Sequence, residues 1–283
     1  MTSRLLHFER RRPAYLCLTD DIRFVKGSCR VAPFAANSVE RKQIITASRL
    51  PNVLSLGYVT RERFLKELTN PDREISEPSH FENVAMNHGQ KYEAEASHAF
   101  FNWGQGDWCP LSTVDKQKTY ISQYFNLNPN ITQDRVISVG CTPDMIVQNR
   151  FTKEIALVEI KCPFLAFKSG KDLTQEEEAI AALSDKHYIQ CQTQLLVLAL
   201  YRCFLFIYCP SPEEPNSHNY CVWEITRDPD YQKWLLAAVF QAHVDIKEGD
   251  ATRFKCIRNE GAHNRLVTIE SKSQHCKFLS SCK

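Results

Sequence analysis

The chain has 283 residues, enough for one large domain or two small ones. Hydrophobic residues make up 43% and charged residues 24%, which excludes a disordered chain, a collagen or a coiled coil as the main class. Thirty-five Lys and Arg against 33 Asp and Glu leave a net charge of +2, but the charge is uneven: residues 1–30 carry +4, residues 31–246 carry −6 and residues 247–283 carry +4. Two basic ends around an acidic centre suit a polyanion meeting a metal-binding core.

No stretch is long and apolar enough to span a bilayer; the most apolar one, Leu195 to Cys209, is short and interrupted by Arg202. No signal peptide is expected, since Arg4 and the Arg10–Arg12 run flank no long apolar region. The 12 cysteines include no Cys-x-x-Cys pair, and Cys191, Cys203 and Cys209 sit in apolar runs. Buried free thiols in a reducing, intracellular compartment are expected, compatible with a nucleus or a virus-infected cell. His275, Cys276 and Cys282 come nearest to a zinc pattern but lack its close pairs.

In chain order, residues 1–37 read as an irregular or lightly structured arm, and Arg41 to Leu50 as a helix or turn leading into Pro51. Val59 to Leu68 predicts a helix started by Thr60. After a loop at 70–80, Val84, His88, Tyr92, Ala96, Ala99 and Trp103 recur at three- and four-residue spacing, predicting a second helix ended by Gly104 and Gly106. Strands are predicted over 136–139, 145–148 and 154–161. A polar loop with a short helix over 176–178 follows, then an apolar helix over 187–200. A buried strand over 203–209, an edge-type strand over 220–225 and a closing helix over 229–247 complete the chain. The expected fold class is α/β, a mixed central β-sheet flanked by helices. The expected organisation is an arm at 1–40, a catalytic domain at 41–247 and a basic, Cys-containing tail at 248–283.

Chemistry concentrates in Gly140-Cys-Thr-Pro-Asp144 and Glu159-Ile-Lys161. Residues two apart in a strand share a face, so Glu159 and Lys161 project together while Ile160 turns the other way. Burying a carboxylate beside an ammonium costs desolvation, which points to a role beyond packing. The hairpin returning from the Pro143 turn brings Asp144 opposite Glu159. Asp144, Glu159 and the Ile160 carbonyl then form a hard, oxygen-rich site suited to Mg²⁺ or Mn²⁺. A metal there would lower the pKa of a bound water and offset phosphate charge, with Lys161 stabilising the transition state. A salt bridge on a half-exposed strand is the plainer reading of Glu159 and Lys161 taken alone.

Pro143-Asp144 with Glu159-Ile-Lys161 resembles the PD-(D/E)xK nuclease motif. Three more blocks stand in the order of its lambda exonuclease branch, the YqaJ-type viral recombinases and alkaline exonucleases. They are Ile45-Thr-Ala-Ser48 with Arg41 before it, Asn87-His-Gly89 through Glu93 to Ala96, and Tyr188-Ile-Gln190-Cys-Gln192. The resemblance implies a restriction-endonuclease-like core and a Mg²⁺-dependent 5′-to-3′ exonuclease on duplex DNA, acting in recombination, repair or viral DNA processing. It implies that Glu93, rather than Glu95, supports the metal site, and that Gln190, rather than Gln192, lies near the attacking water. Arg41 and Ser48 would hold a 5′ phosphate, with Arg49 an alternative contact; Tyr188 would pack rather than touch DNA. Gln190, Gln194 and His187 form a polar stripe on an otherwise apolar helix. The family's ring-type trimers and single-strand annealing partners are further implications. Met145 stands where the family commonly has Gly after Pro-Asp. An endonuclease or RNA-cleaving relative, and a non-catalytic nucleic-acid-binding module, remain as alternatives.

Overall fold

A computed structural model describes residues 10–12, 24–32, 44–70, 79–112, 118–127, 136–169, 173, 184–211, 218–249, 267–269 and 275–282. Among these residues ten strands form two mixed sheets, and one further pair stands apart. The six-stranded sheet runs β12 (Cys276–Cys282), β10 (His218–Thr226), β9 (Arg202–Pro210), β8 (Ile155–Lys161), β7 (Met145–Asn149) and β4 (Trp108–Ser112). The four-stranded sheet runs β2 (Phe24–Val31), β5 (Tyr120–Asn126), β6 (Val136–Cys141) and β3 (Ile45–Thr46). β1 (Arg10–Arg12) pairs with β11 (Val267–Ile269). Among the described residues, β8–β9 and β3–β6 are the parallel pairs.

The alternation of side chains along the strands builds two cores. From β9, Cys203, Leu205, Ile207 and Cys209 face one side, towards α5 (Asp185–Leu198) and α6 (Pro229–Glu248). Phe204, Phe206 and Tyr208 face the other, towards α3 (His80–Trp103), where Phe204 and Phe206 meet Phe100 at ring distances of 5.8 and 5.7 Å. In β8, Ala156, Val158 and Ile160 join the α3 side and Leu157 the α5 side. Period two thus places Glu159 beneath α5.

The helix signals in the sequence act as expected. Thr60 caps α2 (Arg61–Thr69) by accepting from the Arg63 N–H, and Gly104 ends α3. α3 starts at His80 because Ser79 and Glu82 complete a reciprocal capping box. Between 44 and 53, the expected helix or turn is the short strand β3 followed by α1 (Leu50–Val53), with Pro51 in its first turn. α4 (Phe164–Lys168), β4 and β5 carry no strong sequence signal; Pro110 interrupts β4, and β5 mixes polar with aromatic residues.

Two expectations change. The arm, expected to be irregular or lightly structured, supplies the eight-residue strand β2, which pairs with β5 despite a register shift between Lys26 and Cys29. The strand at 220–225, expected at an edge, is interior: β12, from the basic tail, pairs with its free side. Long-range pairing decides both outcomes, and local propensity is a weak guide to it. Most of 168–186, including the helix expected over 176–178, lies outside the described residues. Cys141, Cys191, Cys203, Cys209, Cys221 and Cys276 are buried free thiols, as expected. Among the described residues no helix is long and apolar enough to cross a membrane.

Candidate active site

The β7–β8 hairpin sets the site. Met145 pairs with Val158, so the preceding Asp144 emerges beside Glu159. Asp144 Oδ2 accepts a 2.7 Å hydrogen bond from the Ile160 N–H, which fixes the carboxylate at the strand end. Glu159 is 1% exposed, and three donors converge on it. Lys161 Nζ and Gln190 Nε2 reach Oε1, the latter at 2.5 Å, and Gln194 Nε2 reaches Oε2 at 2.6 Å. Gln190 and Gln194 lie one turn apart on α5, so a single helical face delivers both amides. Gln194 Oε1, fully enclosed, has no hydrogen-bond partner among the described residues.

The electrostatics are unbalanced. Burial first, then the charge of Glu159, push the Asp144 carboxyl well above the usual carboxylate range. Lys161 and the Ile160 N–H pull it back, while Glu93 adds a smaller push upward. Burial alone would pull the Lys161 ammonium down; the carboxylates of Glu159 and Asp144 outweigh it and hold it above the ordinary lysine value. Cys162, next in sequence, is pushed up to about 12 by burial, with Glu93 and Asp144 adding to the effect. Three carboxylates, Asp144, Glu159 and Glu93, therefore act on one another here, and among the described residues Lys161 is the cation that opposes them at Asp144.

The structure brings Asp144, Glu159, Lys161, Ile160 and Gln190 together. Glu93 approaches from the opposite face, because α3 and α5 lie on different sides of the sheet. It acts on Asp144 past the strand end. Among the described residues no group of three or more His, Cys, Asp and Glu side chains is gathered to hold a metal ion. The donor set still has the chemistry of a hard-cation site: paired acidic side chains with excess negative charge, and a strand-end carbonyl at Ile160.

The remaining expected residues divide clearly. Ser48 is exposed, with Oγ 3.3 Å from Thr46 Oγ1. Thr46 pairs with Gly140, and Ala47 N–H donates to the Gly140 carbonyl, so β3 carries Ser48 to the turn that leads to Asp144. Gly140 suits this approach, since a Cβ there would lie 3.3 Å from Ile44 Cγ2. Arg49 stacks its guanidinium 4.7 Å from the Phe64 ring centre. Arg41 lies outside the described residues. Gln192 bridges structural groups instead of the site: it donates to the Thr226 carbonyl and accepts from the Asp228 N–H. Tyr188 is buried, packed on Tyr231 and bonded to Asp228. Glu95 is exposed and accepts from Tyr208. Sequence reading placed Gln194 in the polar stripe without a role; its four-residue spacing from Gln190 is the signal that both serve one carboxylate.

The family model for the YqaJ-like viral recombinase domain matches residues 39–199, more than half of the chain. The crystal structure of an alkaline exonuclease (LHK-Exo) from Laribacter hongkongensis is similar at 20% identity, covering 76% of this chain and 93% of its own, with a TM-score of 0.47. LHK-Exo in complex with dAMP is similar at 21% identity over 77% and 94%, also with a TM-score of 0.47. No curated protein matches the chain. The matched segment contains β3, Ser48, Glu93, the Asp144–Glu159–Lys161 cluster and the Gln190–Gln194 face, and the chain belongs to the YqaJ-like viral recombinase family.

Proposed function

We propose that the chain is a divalent-metal-dependent deoxyribonuclease that degrades linear duplex DNA from a 5′-phosphorylated end, in recombination, repair or viral DNA processing. The observation that carries this reading is the convergence of Lys161, Gln190 and Gln194 on Glu159, beside an Asp144 whose carboxyl is held far from its ordinary state. A structural salt bridge needs neither a second carboxylate nor two amides.

Asp144, Glu159 and the Ile160 carbonyl are the residues that would hold Mg²⁺, or Mn²⁺, with Glu93 supporting from the α3 side. Bound there, the ion supplies Lewis acidity and neutralises phosphate charge. Lys161 lies on the same face as Glu159 and places an ammonium where negative charge grows on the phosphoryl oxygens. The amide of Gln190 fixes the orientation of Glu159 and can position a water for attack. Arg41 and Ser48 would receive the terminal 5′ phosphate, an Arg offering two donors and a Ser hydroxyl a third. A ring-type trimer and a single-strand annealing partner belong to the same reading.

The test compares 5′-phosphorylated linear duplex, nicked circular DNA and single-stranded RNA, each with Mg²⁺ or EDTA. Mononucleotide release from the linear duplex alone, abolished by EDTA, is expected. Cleavage of the circular DNA or the RNA would instead assign the same site to an endonuclease or an RNA-cleaving enzyme. Binding without any cleavage would refute a catalytic role. Arg41→Ala is expected to slow cleavage of 5′-phosphorylated ends more than 5′-hydroxyl ends.

A further inference from the structure

A cavity of about 450 Å³ opens at the far end of α5, away from the carboxylate cluster. Leu196, in its wall, lies two residues past Gln194, which is about 200° around the helix, so the cavity is on the opposite side of α5 from Glu159. Lys26, Arg227 and Lys233 line it together with Leu127, Leu196 and Leu236, and among the described residues no carboxylate does. Lys26 Nζ is anchored on the Leu196 and Val197 carbonyls at 3.2 and 2.6 Å, and Arg227 Nε on Gln232 Oε1 at 2.9 Å. The neighbouring Asp228 is turned inward, accepting from Tyr231 N–H and Tyr188 Oη. Among the described residues, none of the three cations is in an ion pair. Burial holds the Lys26 ammonium below the ordinary lysine value, with Cys29 opposing that shift and Arg227 adding to it.

An apolar row continues from the cavity rim across the outer face of the four-stranded sheet. Val25 pairs with Phe125 and Phe125 with Val136, so the three share one face. They are 49%, 39% and 46% exposed, and Leu127 beside them is 54% exposed. Exposed apolar side chains gathered beside uncompensated cations mark an interaction surface.

We propose that this cavity and the adjoining row dock an acidic segment of a partner protein, in which Asp or Glu residues alternate with Leu- or Phe-sized side chains. Carboxylates match Arg227, Lys233 and the free hydrogen of the Lys26 ammonium. The apolar side chains match Val25, Phe125, Leu127 and Val136. A nucleic acid fits this face less well: three of those four residues are aliphatic and offer no ring for base stacking. The cavity also lies on the opposite side of α5 from Asp144 and Glu159.

The experiment measures fluorescence anisotropy of a labelled peptide in which Asp and Leu alternate, titrated with the full chain in EDTA, beside a Lys-Leu counterpart. Saturable binding of the Asp-Leu peptide alone is expected. Lys233→Glu and Leu127→Asp, both at exposed positions, should each weaken it by about tenfold or more. Both variants should keep the parent melting temperature and the parent rate on linear duplex, so loss of docking is distinguishable from loss of nuclease activity. No binding of the Asp-Leu peptide, or equal binding by both variants, overturns the proposal. Displacement of the peptide by duplex DNA, with DNA affinity lost in Lys233→Glu, also overturns it and makes the face a DNA track.

Discussion

Replacing Lys161 by Ala removes the cation that bonds Glu159 and pulls the Asp144 carboxyl down. Breaking a buried ion pair by deleting one partner costs about 3–5 kcal/mol. Lys161 is 27% exposed, so water screens part of that charge, and Gln190 and Gln194 still donate to Glu159. The expected loss of stability is therefore smaller, about 1–3 kcal/mol. At about 2–4 °C per kcal/mol for a chain of this size, the metal-free variant should melt roughly 2–12 °C lower. The catalytic loss should be larger in proportion. Removing a group aimed at developing charge typically costs about 10²–10³-fold in rate. The assay is single-turnover release of mononucleotides from 5′-phosphorylated linear duplex, with differential scanning fluorimetry on the same samples. A folded Lys161→Ala variant that cleaves within about threefold of the parent would refute the assignment, because so small a change leaves no room for transition-state stabilisation by Lys161.

Asp144→Asn tests the charge balance. The folded pKa of Asp144 is raised, so the native state binds the extra proton; stability falls as pH rises from the unfolded value of about 3.9 through the folded value, and stays lower above it. The metal-free Asn variant should therefore melt higher than the parent at pH 8 and match it at pH 3, and Mg²⁺ should raise the melting temperature of the parent only. A lower melting temperature for the variant at pH 8 would contradict the argument. Gln194→Leu, at the site, should lower cleavage, whereas Gln192→Leu should chiefly lower stability, by about 1–3 kcal/mol, because it strands the Asp228 N–H and the Thr226 carbonyl. Urea melts and initial rates separate the two; a reversed pattern would mean that the stripe is misassigned. Arg61 and Asp245 form a buried pair that ties α2 to α6. Arg61→Ala should cost about 3–5 kcal/mol, and Arg61→Met with Asp245→Leu far less, as read by chemical denaturation.

The chemistry of the site was legible in sequence because it is local. Period two puts Glu159 and Lys161 on one face, a hairpin puts Asp144 beside them, and a four-residue helical step puts Gln190 and Gln194 on one side. None of this requires knowing what lies across the sheet. The helices were legible for the same reason: Thr60, Gly104 and the apolar spacing along α3 are signals within a few residues of what they specify. Only the tertiary structure decided which strands lie side by side. β2 and β12 come from the two ends of the chain and have no strong pattern of their own, yet one borders β5 and the other covers β10. It also decided that Glu93 approaches from the face opposite α5, and that Lys26, Arg227 and Lys233 share a cavity although Lys26 lies about two hundred positions before the others. Sequence by itself fixed the residues that periodicity brings together. Pairing between distant strands depends on burial and backbone hydrogen bonding summed over the whole sheet, and no short window of sequence contains that sum.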